Sequence, residues 1–214
     1  MPPRALEAPL RIPVANVFKG STTSSGLAVA GRVESGIVQT GERLAVLPGS
    51  EAGTVRAIEV DGSLVPYAIA GANATVFLSN IDPIHLSVGT VLSLVDEPVP
   101  VVSAFTAQLI IFDIKMPLLP GASVELFHHS ADVPATITKL DALLDKTTGE
   151  IVRANPRMLV KNTSGKVTVH LRQAPGAPKP LIALETFASN KALGRVLLRR
   201  NGETVAGGIV LDLL

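Results

Sequence analysis

Residues 17–44 read VFKGSTTSSGLAVAGRVESGIVQTGERL, with glycines at 20, 26, 31, 36 and 41. Such near-even spacing has two physical readings. Glycines can present backbone amides to a phosphate, or they can let the chain turn and let strands approach closely. The first needs G-x-x-x-x-G-K-[ST], whose amides and lysine hold phosphates while the hydroxyl reaches magnesium. Gly31 and Gly36 have the glycine spacing, but Ile37 and Val38 follow them. The one Ser-Gly-Lys, at 164–166, runs on into Val167 and has Val160 where the leading glycine belongs. No G-x-G-x-x-G opens a helix after a strand. The glycines read as corners.

Outward from that stretch, runs rich in Val, Ile, Leu and Thr recur every 8–12 residues between Gly, Pro, Asn and Asp. They include LAVAGRV (27–33), ERLAVLP (42–48), GTVRAIEV (53–60), ATVFL (74–78), GTVLSLV (89–95), TAQLIIF (106–112) and SVELFHH (123–129). ATITKLDALL (135–144), KVTVHL (166–171), GRVLLRR (194–200) and TVAGGIVLDL (204–213) continue the series. That cadence predicts an all-β chain. Helical periodicity is absent, and FASNKALG (187–194) leaves room for one short turn. Pro98 and Pro100 in DEPVPVVSAF (96–105) break the pattern near the middle. The organisation read from this is two consecutive antiparallel β-barrels over 8–97 and 103–214, joined at 98–102 and preceded by a linker remnant at 1–7. Asp61-Gly62 and Asn201-Gly202 are placed at hairpin tips, where positive φ is needed twice in succession. Closure into barrels removes the exposed strand edges that would otherwise aggregate.

Composition narrows the function classes. The chain of 214 residues is 47% hydrophobic, with a mean hydropathy of +0.40. It contains no apolar run of about 18 residues, so no membrane-spanning helix is written in it. Prolines at 2, 3, 9 and 13 stand where a signal peptide would need an apolar helical core. The absence of cysteine fits a reducing compartment, so the chain reads as cytoplasmic. Residues 1–103 carry 6 Lys/Arg against 9 Asp/Glu, and residues 104–214 carry 13 against 9. A second half at +4 suits an acidic partner or RNA, or simply an ordinary solvated surface. One Tyr and no Trp supply few stacking platforms for single strands. His128 and His129 are adjacent in an expected strand, where side chains alternate faces and cannot chelate together. His85 and His170 have no nearby partner in sequence, so no metal ligand set is read. No G-x-S-x-G elbow marks a nucleophile. Catalytic residues are not expected here.

Several stretches resemble a known family. PLRIPVANVFKG (9–20) and GLAVAGRVESGIVQTGERLAVLP (26–48) resemble domain II of the translational GTPases of the elongation factor 1-alpha and eukaryotic release factor 3 family. FTAQLIIFDIKMPLLPGASVELFHH (105–129), LDKTTGEIVRANPRMLVKNTSGKVTVHL (144–171) and IALETFASNKALGRVLLRRNGETVAGGIV (182–210) resemble their domain III. The likeness runs in order from 8 to 212. NVFKG, SGIVQTGERL and LIIFDIKMPLLPG are most similar to the HBS-like ribosome-rescue branch, the partner of Pelota. The resemblance implies a C-terminal interaction module that brings a Pelota-type decoding factor to stalled ribosomes. Its partners would be that factor, the ribosome and the parent protein's own nucleotide-binding domain. The parent would bind GTP and magnesium. This chain has no phosphate loop, D-x-x-G switch or N-K-x-D base reader in place, since Ala192 and Leu193 follow Asn190-Lys191. No cofactor, metal or enzymatic activity is expected of it. KGSTTSSG (19–26) is a polar loop similar to the rescue branch, not to carriers that pocket the aminoacyl end of tRNA. Two alternatives stay open: an exosome-bridging relative of the superkiller type, and a tRNA-carrying elongation-factor fragment that binds RNA directly.

The same resemblance nominates surface residues. The strand matching ELFHHSAD (125–132) meets the tRNA T-stem in carriers, and the equivalent surface receives the tRNA-mimicking protein in rescue factors. His128, His129 and Ser130 are therefore contact candidates, with one histidine expected inside. Arg195, Arg199 and Arg200 lie on and beside a hairpin matching the family's basic C-terminal strand. Arg195 and Arg199 should share a face, with Arg200 opposite. Arginine suits bidentate contact with carboxylate or phosphate, although internal pairs with Glu185 or Glu203 fit the sequence equally. Lys146 and Arg153 flank a solvated turn. Arg32 and Glu34 are candidates for facing the nucleotide domain or the small ribosomal subunit, or else form a cross-strand charge pair.

Overall fold

A computed structural model describes residues 5–19 and 27–214, so Gly20, Gly26 and nearly all of the polar loop lie outside the described residues, as does the start of the linker remnant. The chain divides into two units after Val101. The first holds β1 (Ile12–Lys19), β2 (Leu27–Arg32), β3 (Ile37–Gln39), β4 (Arg43–Leu47), β5 (Glu51–Val60), β6 (Ser63–Val65), β7 (Tyr67–Ile69), β8 (Asn73–Ser79) and β9 (Val91–Leu94). Hydrogen bonding runs β4-β9-β1-β2-β8-β5, and β4 pairs with β5 to close six strands. β6 extends β5 as a hairpin, and β3 pairs with β7 outside the barrel. Every pairing is antiparallel, as in β2–β8 and β4–β5. Side chains alternate along each strand, so one set fills the interior. Leu10, Ile12, Val29, Leu44, Ile58, Val76 and Leu92 form that filling.

A short strand, β10 (Val101–Val102), precedes the second barrel, which contains β11 (Ala104–Ile111), β12 (Ala122–His128), β13 (Ala131–Leu144), β14 (Ile151–Ala154), β15 (Ser164–Leu171), β16 (Ile182–Ala183), β17 (Arg195–Arg200) and β18 (Glu203–Leu213). Its order is β12-β17-β18-β11-β15-β13, closed by β12–β13, with β14 lying beside β13. Phe105, Leu109, Ile111, Leu126, Ile137, Val169 and Leu198 pack its core. Among the described residues the only helical segment is a 3₁₀ turn at Pro83–His85, capped by the Asp82 carboxylate on the Ile84 amide. No helix there is long and apolar enough to cross a membrane.

The described glycines of the opening stretch answer its question. A Cβ at Gly31 would lie 2.3 Å from the Pro13 carbonyl oxygen, because β1 presses against β2 beside a bulge between Val14 and Asn16. Gly36 takes φ +76°, and a Cβ there would meet the Leu10 backbone at 2.7 Å. Both positions exclude a side chain for reasons of strand packing, and neither presents a free cradle of amides. The two hairpin tips also have the expected geometry. Asp61 and Gly62 take φ 50° and 78°, Asn201 and Gly202 take 53° and 80°, each pair lying between directly paired residues.

One expectation is corrected. His128 and His129 do not share a strand. β12 ends at His128, which pairs with Ala131, and His129-Ser130 forms a two-residue tip with His129 at φ 51°. Histidine is among the residues that enter the left-handed region more readily than most.

Candidate docking surface

β17 carries alternating residues to opposite sides of the second barrel. Val196 and Leu198 are buried, while Arg195 and Leu197 point out and Arg199 follows on the same side. Leu197 is 47% exposed. The Arg195 guanidinium lies 5.6 Å from the Phe187 ring centroid, and that of Arg199 lies 5.3 Å from Phe127. Arg199 also donates to the Gly202 carbonyl. Each of the two arginines rests on an aromatic face. A guanidinium held over a ring by cation–π attraction is fixed in orientation.

Between the arginines the floor is apolar. Leu197 and Phe112 both cover Gly207, at 3.1 and 3.2 Å from where a Cβ would stand. Ile110, paired with Gly207, adds another exposed side chain. The result is an aliphatic and aromatic patch flanked by two fixed cations. Patches of this composition mark contact surfaces on soluble proteins. The alternation RVLLR shows Leu197 in the row from sequence alone. The supports Phe112, Phe127 and Phe187 come from three distant segments, and no sequence signal joined them.

The other nominated residues separate. His128 is 1% exposed, and its Nε2–H donates to the Leu193 carbonyl at 2.9 Å. Burial, followed by the neighbouring His129, lowers its pKa from 6.5 to about 4, against the opposing effect of the Leu193 hydrogen bond. It is a neutral internal lock, tying the end of β12 to the turn at 190–194. His129 and Ser130 are exposed at the tip, with the two imidazoles edge to face at 4.9 Å. Arg200 turns away from the Arg195 row and donates to the carbonyls of Met116 and Pro117. In the first unit Arg32 is exposed at the end of β2, and Glu34 is half-buried one alternation further on. Arg11, which sequence reading passed over, is buried and donates to the carbonyls of Leu10 and Glu97.

Among the described residues, neither glycine-spaced stretch fits a guanine nucleotide. Ser164, Gly165 and Lys166 lie within β15, paired on both sides, and a Cβ at Gly165 would sit 2.8 Å from Leu159. Gly31 and Gly36 are packed against β1 and Leu10. Among the described residues no group of three or more His, Cys, Asp or Glu converges as a metal ligand set.

Two successive closed six-strand barrels are the architecture of translation-factor domains II and III. The crystal structures of sup35 complexed with GDP and with GMPPNP match it at TM-scores of 0.87 and 0.88, with 24% and 25% identity. Each match covers 98% of this chain and 48% of the solved one. Residues 104–211 match the family described as GTP-eEF1A C-terminal domain-like, and the chain belongs to that family of translational GTPases. It is 34% identical to Protein HBS1 of Drosophila melanogaster over 98% of its length and 30% of the relative's. Against elongation factor 1-alpha of Pyrobaculum arsenaticum it is 33% identical, over 99% of this chain and 46% of the other. The chain thus spans between about a third and a half of these relatives. Its residues form the C-terminal, non-catalytic barrels of the family and do not include the GTPase domain.

Proposed function

We propose that the two barrels are the C-terminal interaction module of a ribosome-rescue GTPase, binding a Pelota-type decoding factor and delivering it to stalled ribosomes in no-go and non-stop mRNA decay. The observation that carries this reading is the Arg195–Leu197–Arg199 row, two ring-supported cations around an exposed apolar floor. Such a surface suits a folded protein partner with apolar anchors and carboxylates. The similarity to Protein HBS1 along nearly the whole chain supports the rescue branch. His129 and Ser130 extend the contact at the β12 tip. Arg32 and Glu34 face the nucleotide-binding domain of the parent or the small ribosomal subunit, and GTP with magnesium belongs to that domain. The setting is the cytoplasm.

The comparable similarity to elongation factor 1-alpha favours a second reading, direct contact with tRNA. Salt separates the two. Binding through phosphates weakens steeply as salt rises, because each neutralised phosphate releases counterions. Capture of a purified Pelota-type factor by the 214-residue chain is expected to persist at roughly 0.2 M salt, where a phosphate-dominated contact loses orders of magnitude. A folded chain that retains tRNA and ignores the factor overturns the first reading in favour of the second.

A further inference from the structure

A second surface of the second barrel, beyond the Arg200 end of β17, is built differently. The segment following β11 and the segment preceding β15 meet in an antiparallel bridge. Leu118 and Leu159 exchange amide hydrogen bonds of 2.9 Å in both directions. Both leucines are fully buried. Their neighbours Leu119, Met158 and Val160 are therefore turned out, each close to half exposed, and Met116 is 60% exposed. Two of the chain's three methionines, Met116 and Met158, thus lie on the two segments that this bridge joins. Beside them is an open cavity of about 490 Å³ lined by Asp113, Ile114, Lys115, Pro117, Val160 and Lys161.

Its backbone is fixed while its side chains are adaptable. Arg200 grips the Met116 carbonyl at 2.7 Å, and the Asn162 amide donates to Ile111 at 3.0 Å. Methionine is unbranched and polarisable, which suits surfaces that accept varied apolar partners. The surrounding charge is predominantly positive: Lys115, Arg157, Lys161 and Arg200. The facing carboxylates are Asp113, paired with Lys161 at 3.3 Å, and Glu203, across the hairpin from Arg200. The apolar residues are aliphatic or thioether, offering no ring on which a nucleobase could stack.

We propose that this end of the second barrel is a docking site for a short acidic segment of a partner protein carrying apolar anchors. An anchor enters the cavity between Pro117 and Val160, and carboxylates of the same segment meet Lys115, Arg157 and Lys161. The site does not depend on whether the β17 row receives a decoding factor.

Methionine methyl resonances report on it directly, because Met1, Met116 and Met158 are the only three in the chain. The chain labelled with methyl-¹³C methionine is titrated with a synthetic peptide of roughly a dozen residues, rich in Glu and Asp, with Leu or Phe at helical spacing. Controls are the same peptide with every acid replaced by Lys, and a single-stranded RNA. The Met116 and Met158 methyls are expected to shift with the acidic peptide. Affinity is expected to fall at least about tenfold for the basic peptide, and likewise for the acidic peptide on a K115E/K161E variant. Both lysines are exposed, and an unchanged circular dichroism spectrum confirms that the variant folds. Unmoved Met116 and Met158 signals at millimolar acidic peptide overturn the proposal. Equal response to the basic peptide does so too, and so does a response to RNA alone.

Discussion

His128 is a titratable side chain whose role is set by burial. Its folded pKa of about 4 lies below the ordinary 6.5, so the unfolded chain binds the proton more readily between those values. Stability is therefore complete above about pH 6.5 and declines as pH falls towards 4, by up to about 3 kcal/mol. Gln in its place can still donate towards Leu193 but does not titrate. Urea unfolding at about pH 7.5 and pH 5 is expected to show a large loss for the native chain and a smaller one for His128→Gln. Equal losses would show that His128 is not the group responsible. Arg11 is a second buried side chain with a structural task. Its guanidinium joins the Leu10 carbonyl to that of Glu97, 86 residues along the chain. Arg11→Met leaves these acceptors without the arginine and is expected to cost about 2–3 kcal/mol in denaturant unfolding.

At the scale of elements, the glycine-punctuated opening works through close approach. Gly31→Ala drives a methyl group against the Pro13 carbonyl, and a loss of about 2–4 kcal/mol in unfolding free energy is expected, measured by urea titration. Much at this scale was legible in the sequence. Asp61-Gly62 and Asn201-Gly202 announce their turns because few other pairs tolerate two positive φ values in a row. The alternation of β17 announces that Arg195 and Arg199 share a face. What the sequence hid are long-range pairings. Nothing local says that β4 closes on β5 and β12 on β13, that Phe127 and Phe187 lie beneath the arginines, or that Leu118 bridges Leu159. The His129-Ser130 tip was hidden too, since neither residue is a strong turn former and the preceding run alternates like a continuing strand.

At the scale of the whole molecule, each unit has its own closed barrel and its own buried cluster. Residues 1–101 and 102–214, produced separately, are each expected to give a β-rich circular dichroism spectrum and a cooperative thermal transition. A piece that remains unfolded would show that its barrel depends on the other. The interiors are filled by aliphatic side chains and Phe105, which leaves the outer walls to meet partners. The decisive measurement is a calorimetric titration of a purified Pelota-type factor into the native chain and into an R195E/R199E variant of unchanged circular dichroism. Submicromolar-to-micromolar binding by the native chain, weakened at least about 30-fold (about 2 kcal/mol) in the variant, is the expected result. Equal affinity for both chains, or no heat of binding to the folded native chain, would contradict the assignment of that wall as the docking surface.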